Sequence, residues 1–109
     1  MTTTIGIRPV GKTTVIAVSN TASTPVLITT SSNDQITWAE FANVGQQEVA
    51  IKIATASTNA VHPVAGTPGD YVLNHDSSIV LAVPTVPYYV SAVTVTGTST
   101  LYVTPVDAQ

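Results

Sequence analysis

Imidazole and carboxylate side chains gather once in this chain: His62, Asp70, His75 and Asp76, with Asn74 among them. Two histidines and two carboxylates form a donor set that zinc or another divalent ion accepts. Their spacing matches no compact ligand motif, and the loop after His62 leaves their mutual placement open. Both histidines are therefore read as surface-loop residues, and no metal or other cofactor is expected. Serine is abundant, yet none sits in the G-x-S-x-G turn that presents a nucleophile. Glu40 and Glu48 are the only glutamates and fall on neighbouring expected strands. A glycosidase pair would need a deep cleft, which so small a chain rarely offers, so both are read as solvated strand positions. The stretch GIRPVGKT, residues 6–13, formally fits G-x-x-x-x-G-K-[ST]. That phosphate loop must follow a buried strand and open a helix. Here a short arm precedes it, a strand follows, and Pro9 has no amide N–H to offer. The match is read as chance, cysteine is absent, and no enzymatic activity is expected.

The aromatic residues are Trp38, Phe41, Tyr71, Tyr88, Tyr89 and Tyr102. An exposed row of them would stack sugars. Burial is the default for large rings, so Trp38 and Phe41 are expected in or beside the core. The tyrosines are expected to rim it with wet hydroxyls. Tyr88 and Tyr89 are adjacent on one strand, which sends one of them outward.

What could position these groups follows from composition. The chain has 109 residues, enough for one domain with a real core. Only 8% are charged, where roughly 25% is usual, while the 44% hydrophobic share argues against disorder. The polar surface must be built from Thr, Ser, Asn and Gln. Such a surface is poorly defended against association, which suits a protein that works assembled with partners. Arg8, Lys12 and Lys52 are the only basic side chains besides histidine, too few for a nucleic-acid partner. No apolar run approaches the ~20 residues of a membrane helix, so no membrane partner is expected. The N-terminus lacks a signal-peptide layout, and Met1 reads as an initiator of a chain used without export.

Helix formers are scarce, and Thr and Val dominate, which favours pleated strands. Short apolar or alternating runs recur between Pro, Gly, Asn and Ser. They predict about eight strands, over residues 13–18, 25–30, 35–42, 48–54, 71–74, 78–83, 88–95 and 99–104. The turn NVGQ, residues 43–46, offers Gly45 for a positive φ. The last two strands, separated by TGT, read as a hairpin that Pro105 terminates. In the last of them Leu101 and Val103 face the core, and Thr98, Thr100, Tyr102 and Thr104 form a hydroxyl face. Residues 55–70 form a long loop of the kind that serves function or interfaces. Residues 1–12 read as an extended N-terminal arm and 13–109 as a single antiparallel β-sandwich. Its long middle connection favours a jelly roll over an up-and-down barrel.

The second half carries a resemblance. FANVGQQEVAIKIAT is followed, after the loop, by IVLAVPTVPYYVSAVTVTGTSTLYVTPV. The Asn43 and Gly45 turn, the strand from Val49 to Ile53, Pro87 with Tyr89, Val90 and Ala92, and the run from Gly97 to Pro105 all contribute. Together they resemble small β-sandwich head decoration, or cement, proteins of tailed bacteriophages. The resemblance spans roughly residues 41–105, and the tail VDAQ departs from the Gly-Glu-Gly ending common in that family. It implies a non-enzymatic virion protein, made in the host cytoplasm and bound to the capsid exterior, where it stabilises the lattice of major capsid protein. Its implied partners are that capsid protein and itself, as a dimer or trimer at capsid symmetry axes. A head fibre base, a tail or baseplate component, or a host-glycan binder are the other virion roles open to such a sandwich. For the docking surface the expected residues are Ile5, Ile7, Arg8 and Pro9 of the arm. Val61, His62, Pro63 and Val64 of the loop join them, together with Tyr88 and Val106.

Overall fold

The computed structural model describes residues 7–9, 12–21, 25–29, 38–84 and 87–108. The described residues form nine strands and no helix: β1 Ile7–Pro9, β2 Thr14–Val18, β3 Val26–Ile28, β4 Trp38–Asn43, β5 Val49–Ala54, β6 Tyr71–Leu73, β7 Ser77–Ala82, β8 Tyr88–Val93 and β9 Ser99–Ala108. β2 to β9 overlie the eight expected runs, which are rich in β-branched and aromatic residues; in β2 and β4 buried and less buried positions alternate, as a strand with one face on the core requires.

The chain runs out along β2–β5 and returns along β6–β9 as one antiparallel ribbon. β2 pairs with β9, β3 with β8, β4 with β7 and β5 with β6. The ribbon reverses at residues 55–70. It is then rolled, so that β9 also pairs with β4 and β8 with β5. Two four-stranded sheets result, β2-β9-β4-β7 and β3-β8-β5-β6, with β1 added beside β9. This strand order is that of a jelly roll.

Between the sheets, Ile16, Val18, Ala39, Phe41, Leu101 and Val103 of the first face Ile28, Val49, Ile51, Leu73, Tyr88, Val90 and Ala92 of the second. Tyr88 is therefore a core residue rather than a rim tyrosine, and burial pushes its phenol up to about 12 from the ordinary 10. The unfolded chain releases this proton first. Stability should fall as pH rises from about 10 to about 12, by up to about 1.4 kcal/mol per pH unit. Urea midpoints across that window should show the slope in the native chain and lose it in Tyr88→Phe.

The expected hairpin of residues 88–95 and 99–104 does not form, because β8 and β9 lie in opposite sheets. Gly97, at φ +74, turns the chain through an arch, and Thr94 Oγ1 donates to the Gly97 carbonyl at 2.8 Å. Arching lets the apolar faces of β8 and β9 meet across the core, while β9 keeps both edges for β4 and β2. The β4–β5 connection arches in the same way beside it. Gly45 is required there for space and not for φ. A Cβ at this position would lie 2.7 Å from the Cα of Ser99.

Asn43 joins these arches from within. It is buried, and its Nδ2 donates to the carbonyls of Gln47 at 2.7 Å, Leu73 at 3.3 Å and Asn74 at 3.2 Å. Its Oδ1 accepts from the Gly45 N–H and from Ser99 Oγ. One side chain thus ties the β4–β5 arch, the β6–β7 turn and the start of β9.

Pro105 does not end its strand; β9 continues to Ala108. The Thr100 carbonyl accepts from Val44 N–H, so even-numbered residues of β9 point their polar groups at β4. Odd-numbered ones, Pro105 included, point towards β1 and β2. The missing N–H falls between the two pairings on that edge, Pro9 with Val106 in β1 and Thr14 with Val103 in β2. β1 also pairs Ile7 with Ala108. The part of the arm that is described thus lies on its own β9. Because only three residues pair there, deleting residues 1–11 should leave the roll folded with a slightly lower melting temperature; global unfolding of the truncated chain would make β1 a core strand.

Candidate functional site

The long loop between β5 and β6 folds back over the outer face of the second sheet. Alternation places Ala50, Ser91 and Val93 on that face, yet all are buried, because Ala60 and the loop cover them. The Ala60 N–H donates to Ser91 Oγ at 3.0 Å. Asp70 closes the loop. Its Oδ2 accepts the Val61 N–H at 2.7 Å, its own N–H reaches the Val61 carbonyl at 2.8 Å, and Lys52 Nζ stands 3.5 Å from Oδ1. Gly69 makes the crossing possible, since a Cβ there would lie 2.6 Å from the Val61 oxygen and against the backbone of His62 and Pro63. At the tip, Val64 and Thr67 exchange backbone hydrogen bonds around Gly66, whose φ is +83.

The bracing holds two valines in solvent: Val61 is 55% and Val64 60% exposed. His62 between them turns inward. Its Nδ1 lies 2.9 Å from the Pro63 carbonyl, which can only accept, so Nδ1 carries the proton. Nε2 is 3.3 Å from Glu48 Oε1 but is not aligned for a hydrogen bond. Of the expected docking residues in the loop, Val61 and Val64 are therefore exposed, Pro63 is half-buried, and His62 is a brace.

Two of the expected docking residues are corrected. Tyr88 is 1% exposed and belongs to the core, because β8 turns Tyr88, and not Tyr89, inward. Val106 is also 1% exposed, between Trp38 on β4 and Pro9 on β1, because β9 continues through this position as a central strand. Neither can contact a partner. Ile7, Arg8 and Pro9 lie on β9 as β1, and Ile5 is outside the described residues.

The groups singled out for chemistry are dispersed. His62 and Asp70 brace the loop, whereas His75 and Asp76 form an exposed pair, 3.6 Å apart, on the β6–β7 turn. Among the described residues no three His, Cys, Asp or Glu side chains converge as a metal would require. Glu40 lies on β4 in the first sheet and Glu48 just before β5 of the second, because the chain arches between the sheets. The segment resembling a phosphate loop passes into strand β2, not a helix.

The hydroxyl face of β9 is the outer wall of the first sheet. Thr100, Tyr102 and Thr104 share it with Val15 and Ala17 of β2 and with Glu40 and Ala42 of β4. Thr13 and Thr104 are joined by a 2.8 Å hydroxyl contact. Among these residues the only charge is Glu40, and Val15 and Tyr102 are exposed. Sequence reasoning missed the loop's internal partners. Only the Gly69–Asp70 step at its end, a turn pair beside an edge strand, hinted at them.

Together the fold and loop define a jelly-roll β-sandwich presenting a braced apolar loop. No helix among the described residues is long and apolar enough to cross a membrane. Comparison with protein-family models, with curated proteins and with solved structures gives no match.

Proposed function

We propose that the protein is a non-enzymatic capsid decoration protein, which binds the outside of a phage head and clamps neighbouring major capsid subunits. The observation that carries this reading is the braced loop. Ordering a loop on binding opposes association by about 0.5–1.5 kcal/mol for each immobilised rotamer-rich side chain. Here internal contacts already order it, and it holds Val61 and Val64 outward with no charged residue between Ala54 and Asp70. Such a loop suits repeated docking on an uncharged lattice site, where joined protomers gain avidity from individually weak contacts. The resemblance over residues 41–105 and the low charge support the same role. The partners would be the major capsid protein and further copies of this chain, at the capsid exterior of the virion.

The test is reconstitution. Purified protein added to heads that lack it should bind saturably, at a stoichiometry on the order of hundreds of copies per particle, as a lattice-wide site requires. Decorated heads should survive heating that disrupts bare ones. Val61→Asp combined with Val64→Asp should abolish binding while leaving the circular dichroism spectrum unchanged. Saturation at about a dozen copies or fewer would instead indicate a vertex or tail position, where avidity rests on few sites.

A further inference from the structure

A second site lies away from the loop. A groove of about 310 Å³ opens where the end of β4 meets the β6–β7 turn, lined by Ala42, Asn43, Val44, Asp76, Ser77 and Ser78. Its size is near the lower end for small-molecule sites, room for a single ring. Asn43 is fully engaged within the fold and serves as wall, and Ser77 Oγ is turned to the His75 carbonyl. Three kinds of group remain for a ligand. Ala42 and Val44 are apolar, and Val44 is exposed. Ser78 brings an exposed hydroxyl. Asp76 brings an exposed carboxylate, fixed by a left-handed backbone at φ +52, with His75 Nδ1 near one oxygen. β-pairing extends the site: Ala42 stands between Ser78 on β7 and Tyr102 on β9. The small Ala42 is thus a trough floor beside a tyrosine that is 38% exposed.

We propose that this groove binds one ring of a neutral carbohydrate. A pyranose has an apolar C–H face suited to Tyr102, Ala42 and Val44, and hydroxyl donors suited to the Asp76 carboxylate and Ser78 hydroxyl. An anionic ligand would face Asp76 with like charge. A divalent cation would find a single carboxylate where it needs several oxygen ligands. The site is separate from the docking loop and stands whether or not the protein decorates a capsid.

Backbone amide NMR of the whole chain, titrated with the methyl glycosides of glucose, mannose, galactose and N-acetylglucosamine into the tens of millimolar, tests it. At least one sugar should give saturable shifts confined to Ala42, Val44, Ser77, Ser78 and Tyr102. Tyr102→Ala and Asp76→Asn should each weaken binding about tenfold or more, and Tyr102→Phe should retain it. Asparagine tolerates the left-handed conformation, so Asp76→Asn keeps the turn. Absence of saturable shifts with every sugar overturns the proposal, as do shifts that survive both substitutions. So does a groove that responds to N-acetyl-arginine amide and to no sugar.

Discussion

Asn43→Asp should be the most damaging single-atom change in this protein, lowering stability by about 3–5 kcal/mol at neutral pH. The wild-type amide directs its two N–H protons at the carbonyls of Gln47, Leu73 and Asn74. A carboxylate of the same shape can donate to none of them and sets negative charge against three carbonyl dipoles, buried from water. Domains of this size hold about 5–15 kcal/mol in all, so a large part of the native population should be lost. Denaturant midpoints measure the effect. The deficit should shrink at acid pH, because protonation restores one donor and removes the buried charge. Asn43→Ala should also destabilise at every pH, without that acid recovery. If Asn43→Asp keeps the wild-type midpoint at neutral pH, the side chain does not tie the arches together.

Gly69→Ala should have the largest effect on the surface. The new methyl meets the Val61 oxygen, the Pro63 nitrogen and the His62 carbonyl carbon, all backbone atoms that no rotamer change can move aside. The two legs of the loop must separate, breaking the paired bonds between Val61 and Asp70. A loss of about 1–3 kcal/mol is expected, typical of overpacking. It should be concentrated in the loop, since the interior between the sheets does not include residue 69. Hydrogen exchange at Ala60, Val61 and Asp70 should accelerate far more than at Val90 or Leu101. Binding to heads should fall together with that protection, because Val61 and Val64 lose their fixed spacing. Retained binding despite accelerated exchange would remove the braced loop from the proposed docking mechanism.

Much of the scaffold was legible in the residues. Val49 and Ile51, or Leu101 and Val103, alternate with polar or small partners, and only a strand with one buried face satisfies that pattern. The eight runs, the absence of helix among the described residues and the inward turn of Leu101 all followed. The errors have a common source. Whether consecutive strands pair side by side or arch across the core depends on which other strands claim their edges. TGT at residues 96–98 looks like a hairpin turn, yet β9 gives its edges to β4 and β2, strands far away in sequence. Pro105 read as a stop for a similar reason: its missing N–H does no harm where it falls between the β1 and β2 pairings.

The candidate surface was half legible. Val61 and Val64, expected at the surface of the uncharged loop, are exposed, but Tyr88 and Val106 did not reveal their burial. Which residue of the Tyr88–Tyr89 pair turns inward is settled by sheet packing. The groove beside Asp76 was invisible, since its lining comes from residues 42–44 and 76–78, with Tyr102 beside it. By itself the sequence determined strand content, low charge and the uncharged stretch between Ala54 and Asp70, because these depend on local periodicity and composition. Tertiary structure alone decided the rolled strand order, the bracing of the loop by Lys52 and Asp70, and the meeting of Tyr102 with Ala42 and Ser78. Each of those joins residues distant along the chain, and their association is selected by the shared burial of two whole sheets and by no local signal.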